Sequence, residues 1–144
     1  MELIDVVNEI VKISKQHKFV NAVYVGDIYE NMNTVDVKYP NVNLTINTIE
    51  DNLDEGVRSY GFTMFYTDLQ TSNSECVLPI QSVGVKVLGD ICRKIDGVED
   101  WNVENLIFTL FTEKFKDLCS GAYVEFTLNV PIDEYCSDDD MFHS

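Results

Sequence analysis

The sequence predicts an α+β fold of two layers, an antiparallel or mostly antiparallel β-sheet with two helices packed on one face. Three observations predict it. Ala122, Val124, Phe126, Leu128 and Val130 fall on one side of an extended chain and Tyr123, Glu125, Thr127 and Asn129 on the other, the period of a half-buried strand. Two stretches, residues 2–16 and 74–95, repeat apolar residues at helical spacing instead. The predicted strands follow one another through short connections, without a βαβ rhythm, so neighbours pair antiparallel and the helices share a face. A length of 144 residues suits a single domain, placed at 1–136, followed by an acidic tail at 137–144.

In chain order, residues 2–16 align Leu3, Val6, Val7, Ile10 and Ile13, with Glu2 and Asp5 near the start and Lys12 and Lys15 near the end, as the helix dipole favours. Residues 22–29 read as a short strand interrupted at Gly26-Asp27, and 30–40 as a loop. In 41–49, Val42, Leu44 and Ile46 point inward and the Asn and Thr side chains outward, so one face of this strand is expected to be covered. After an acidic turn at 50–56, residues 57–69 form a long strand carrying Tyr60, Phe62, Met64 and Tyr66 on one side.

Thr71, Ser72, Asn73 and Ser74 supply cap residues for the second helix, and Pro79 either sits in its first turn or kinks it. Its core stripe is Ile80, Val83, Val87, Leu88, Ile91 and Ile95, with Gly97 placed as a left-handed C-cap. Leu106, Phe108 and Leu110 alternate with Ile107, Thr109 and Phe111, bulky on both sides, so this strand is expected to be covered twice. Residues 113–121, polar with one glycine, are expected to connect it to the last strand.

The net charge of −15 excludes binding that depends on phosphate neutralisation, because clustered Lys and Arg are missing. Acids gather at Glu50, Asp51, Asp54 and Glu55, at Asp96, Glu99, Asp100 and Glu104, and at Asp133, Glu134 and 138–140. Solubility accounts for such acidity; a surface that must pass close to DNA without holding it is the sharper account. No apolar run is long enough to span a bilayer, and the first residues carry acids where a secretory leader carries cations, so synthesis and first use in a cytosol are expected. Cys76, Cys92, Cys119 and Cys136 lack zinc spacing and read as free thiols.

No nucleotide loop, nucleophile elbow or zinc helix occurs. His17 is expected to serve its helix end and Asp27 a turn; neither brings a catalytic partner, and no cofactor or metal is implied. On the second helix Ser82, Val85, Gly89 and Cys92 recur at spacings of three and four, opposite the core stripe. They are either filler or a contact face between subunits, and Trp101, at a strand entrance beside Asp100, is a separate candidate interface anchor.

Lys18-Phe19-Val20-Asn21, Gly26-Asp27-Ile28-Tyr29, Asp36-Val37-Lys38-Tyr39-Pro40, Phe65-Tyr66-Thr67-Asp68, Phe111 to Asp117, and Leu128-Asn129-Val130-Pro131 followed by Cys136 form an ordered set. In order and spacing this set resembles small virion proteins of tailed phages, including those of Bacteroidetes hosts and the crAss-like phages, that look like tail-terminator or neck-ring subunits. The resemblance spans about His17 to Cys136. Members often carry Trp where Tyr29 stands and a less acidic end than 137–140. It implies an α+β subunit that assembles with copies of itself between portal and tail or on the tail tube, performs no catalysis, and leaves a channel through which DNA passes without specific binding. The acids at 50–55 and 96–104 are then the candidates to face that channel. Two other functions stay open on the residues alone: an acidic inhibitor imitating DNA, and a small ligand-binding domain or enzyme with a pocket between helix and sheet.

Overall fold

The computed structural model describes residues 1–70 and 77–132. The elements are α1 (Leu3–Gln16), β1 (Ala22–Val25), α2 (Ile28–Met32), β2 (Asn41–Asn52), β3 (Val57–Leu69), α3 (Val77–Asp96), β4 (Asn102–Lys114) and β5 (Leu118–Pro131). The strands form one sheet in the order β1-β2-β3-β5-β4, with β1 parallel to β2 and every other pairing antiparallel. The α+β class and the mostly antiparallel sheet are as the sequence indicated.

Helices α1 and α3 lie on one face. Val6, Val7, Ile10 and Ile13 of α1 and Val87, Leu88, Ile91 and Ile95 of α3 pack on Val42, Leu44, Tyr60, Phe62, Met64, Val124, Phe126 and Leu128. Full burial of each large side chain is worth about 1.5–3 kcal/mol, so this layer contact is the main stabilising term. The start of α1 is closed by a reciprocal pair, the Glu2 N–H donating to Asp5 Oδ2 at 2.8 Å and the Glu2 side chain accepting from the Asp5 backbone. Gly84 sits where α3 meets the sheet, its absent Cβ position 3.0 Å from Tyr66 and 3.3 Å from Ala122, and so it takes the contact place expected of Val83, which is exposed. Pro79 lies in the first turn of α3, where a missing N–H costs nothing. The cap residues at 71–74, with Cys76, fall outside the described residues.

Several expectations are corrected. The strand at 22–29 ends at Val25, because Gly26 takes φ 120° and Asp27 caps a short helix by accepting the Glu30 N–H at 3.0 Å. That helix occupies part of the expected loop at 30–40, making three helices. Gly97 is not left-handed; its N–H bonds the Arg93 and Lys94 carbonyls at 3.1 Å, and Asp100 takes φ 68°. Asn41 and Asn43 are buried, so the start of β2 is covered on both faces, while residues 47–52 are exposed. The Asn43 amide donates to the Gly26 carbonyl at 3.0 Å and accepts from Asn31 at 2.6 Å, while Asn41 donates to the Lys38 carbonyl at 2.8 Å. A second small core of Ile28, Met32, Phe115 and Cys119, with Tyr39, Phe65 and Phe111 around it, seals this end of the far face.

The last two strands depart most. Strand β4 is an edge and not a covered strand, so its two-sided apolarity leaves Leu106, Ile107 and Leu110 exposed at 41%, 61% and 49%. The connection between β4 and β5 is only residues 115–117, with the Phe115 N–H on the Asp117 carbonyl at 3.0 Å. Gly121 therefore lies inside β5 and serves close packing rather than a turn.

Candidate functional site: an acidic groove on the open sheet face

The register of the sheet joins the two acidic segments. Glu50 and Asn52 stand opposite Ser59 and Val57, and Asn102 and Glu104 stand opposite Asn129 and Thr127, while β3 pairs with β5 between them. These residues project from the face away from the helices, since their neighbours Tyr60 and Leu128 belong to the helix-side core. The result is a groove of about 510 Å³ lined by Glu50, Asn52, Glu55, Ser59, Asp100, Asn102, Glu104 and Asn129, with four carboxylates and no cation. Its floor is braced by Ser59 Oγ bonded to Asn129 Oδ1 at 2.5 Å.

Of the eight candidate channel-facing acids, Glu50, Glu55, Asp100 and Glu104 meet there. Asp51 does not; it is held by Arg58 in a two-point ion pair at 2.6 and 2.9 Å, which lowers its pKa. Asp96 accepts the Val103 N–H at 2.8 Å and so closes the start of β4. Asp54 and Glu99 are exposed and do not line the groove. The acids at 133–140 fall outside the described residues.

The other layer holds most of the cations, interspersed with acids such as Asp5, Glu9 and Asp90. Six of the ten Lys and Arg residues, Lys12, Lys15, Lys18, Lys86, Arg93 and Lys94, belong to α1, its immediate end, or α3. Several surround a cross-helix bond that sequence spacing did not show, His17 Nε2 to Asp90 Oδ2 at 3.0 Å. The Phe19 N–H donates to His17 Nδ1 at 3.2 Å, which assigns the proton to Nε2. His17 thus ties α1 to α3, beyond its role at the helix end.

His17, then Lys86 and Arg93, hold the Asp90 carboxyl well below the ordinary carboxylate range. A depressed folded pKa means stability that is complete above the unfolded value of about 3.9 and fades as pH falls below it. Asp90→Asn is accordingly expected to cost about 1 kcal/mol near pH 7 and clearly less near pH 3. Urea unfolding at the two pH values checks this, and an equal loss at both would refute it.

The small-residue face of α3 is corrected. Cys92 is 1% exposed, Gly89 is covered by the Arg93 guanidinium, and Val85 packs against the core; only Ser82 reaches solvent. Small side chains there let α3 approach the sheet and its own Arg93. Trp101 is 7% exposed and is a core residue, not a surface anchor. The surface that spacing missed is the β4 edge, whose signal, bulky groups on both sides, was present but read as double coverage.

Two further features bear on chemistry. A wide apolar depression of about 510 Å³ lies between Phe19, Pro40, Ile80 and Val83, with Tyr66 and Asp68 at its base. Burial raises both of these groups, Tyr66 to about 12. Asp68 accepts the Leu69 N–H at 2.8 Å, and the Asn21 amide is spent on the Tyr39 carbonyl at 2.7 Å, so few polar groups converge on the space. Cys92 and Cys119 are free and buried, and burial pushes them up to about 12 and about 11, which keeps both as thiols.

No family model matches the chain, and no curated protein matches it in sequence. Among the described residues no helix is long and apolar enough to cross a membrane.

Proposed function

We propose that the chain is a structural virion protein that joins copies of itself in a ring at the neck or tail of a tailed phage, beside portal, neck or tail-tube proteins, leaving a channel for DNA. The observation that carries the reading is the acidic groove on the open sheet face, opposite a helix layer that holds most of the cations. A ring calls for head-to-tail contacts through two different surfaces of each subunit, which leaves the groove free to face the channel. Turned inward, the groove repels phosphate, so passing DNA exchanges no counterions with the wall and slides. The ordered set of motifs that resembles tail-terminator and neck-ring subunits is in keeping with this reading.

Analytical ultracentrifugation and negative-stain electron microscopy of the purified protein, alone and with the purified tail or portal, provide the test. Closed rings, or incorporation into the particle, are expected. A chain that stays monomeric at about 100 µM, far above ordinary dissociation constants, and is missing from purified virions would refute the reading.

A further inference from the structure

We propose that β4 pairs antiparallel with β4 of a second copy of this chain, about a two-fold axis at Thr109. Strand β4 is 13 residues long, whereas β1, at the other edge of the sheet, has four. The start of β4 is guarded. Asp96 takes the Val103 N–H, and the register shift between Glu104 and Ile107, with Asn105 at φ 61°, bends the strand away from straight pairing. From Ile107 onward one described side chain reaches its backbone, the Gln81 amide donating to the Phe111 carbonyl at 3.2 Å.

The direction of its backbone groups follows from β5. The Leu118 carbonyl accepts the Gln70 N–H at 2.9 Å, so Leu118 and every second residue after it turn their backbone groups toward β3. The Ile132 N–H on the Gly56 carbonyl at 2.8 Å keeps the same alternation at the far end. The residues in between bond β4, and opposite Gly121, Tyr123 and Glu125 stand Phe111, Thr109 and Ile107. Phe108, Leu110 and Thr112 therefore point their N–H and C=O groups outward, and no described group bonds to them.

A strand that fills this edge must be apolar on both faces, and β4 itself is such a strand. About Thr109, Phe108 stands opposite Leu110 on the helix side and Ile107 opposite Phe111 on the open side, each pair occurring twice. The paired stretch, residues 107–111 of each copy, carries no charge, so no like charges meet there. Four-residue β1 would leave most of the edge bare. A two-fold dimer is closed, so it stands beside ring contacts made through other surfaces and does not rest on the ring reading.

Thr109 spends its backbone groups on β5, so it faces its own copy as a non-hydrogen-bonded pair with Cα atoms about 4.5 Å apart, within disulfide reach. In a Cys76→Ser, Cys136→Ser background, Thr109→Cys is expected to become mostly disulfide-linked dimer under copper–phenanthroline oxidation, while Glu113→Cys, opposite Asn105, stays uncrosslinked. Without oxidant, Leu110→Lys is expected to remove the two-fold pairing, leaving monomers or single unpaired rings, with an unchanged far-UV circular dichroism spectrum. Cross-linking of Thr109→Cys no faster than of Glu113→Cys, or a dimer that survives Leu110→Lys, overturns the contact. Rings without the Thr109 cross-link overturn this contact alone, and monomers throughout overturn both it and the ring.

Discussion

Gly121→Ala is expected to lose about 3 kcal/mol or more, enough to unfold much of a domain of ordinary stability. The Cβ it adds would overlap the Tyr66 carbonyl oxygen and lie 3.3 Å from the Phe111 ring. Backbone cannot swing aside as a side chain does, so β5 must shift against β3 along a pairing that runs from Val57↔Pro131 to Leu69↔Cys119. Gly61→Ala meets a softer obstacle, the Thr48 hydroxyl on an exposed residue, which another rotamer removes; about 1 kcal/mol is expected there. Gly97→Ala, whose Cβ would lie 3.4 Å from the Lys94 carbonyl, serves as the near-neutral control. Urea unfolding followed by circular dichroism orders the three variants. A Gly121→Ala midpoint equal to that of Gly97→Ala would show that β5 does not pack as described.

Reversing the groove is expected to turn a protein that ignores DNA into one that holds it. The variant is Glu50→Lys, Glu55→Lys and Glu104→Lys; Asp100 is kept because its φ of 68° suits Asp far better than Lys. If three lysines each neutralise one phosphate, the binding constant falls with salt at a logarithmic slope of about −2.7, a roughly 40-fold loss between 50 and 200 mM. Fluorescence anisotropy with labelled duplex DNA measures the slope. In assembled particles the same variant is expected to slow genome exit, read by the rate of dye binding to released DNA. Tight binding by the unaltered protein, or a variant that still ignores DNA, would remove the electrostatic basis of the proposed channel wall.

Much of this architecture is legible in the residues. The strand at 57–69 is legible because alternating Tyr60, Phe62, Met64 and Tyr66 leave one period open to it, and α1 follows from its stripe in the same way. Periodicity fails where its cause is tertiary. Five residues of α2 are too few to show a helical repeat. Asn41 and Asn43 are polar by type, yet the Lys38 and Gly26 carbonyls and the Asn31 amide give them partners inside, with Asn41 Oδ1 left without one. Two bulky sides in β4 describe a strand between two layers and a bare edge equally well, and only the strand order separates them. A lone glycine among polar residues reads as a turn until the Tyr66 carbonyl is seen against it. The groove was legible in half: both acidic segments were visible, but their meeting depends on β5 bringing the start of β4 beside the tip of the β2–β3 hairpin.

The strand order also governs when a growing polypeptide can fold. The last described strand, β5, is inserted between β3 and β4, so the sheet has no continuous middle until Pro131 has left the ribosome. Until then the nascent chain holds a β1-β2-β3 unit whose inner rim awaits a partner made some fifty residues later, a long wait of the kind that slows folding and exposes sticky intermediates. Translation that stalls before that point leaves a fragment lacking its centre, and such fragments are natural clients for chaperones and proteases.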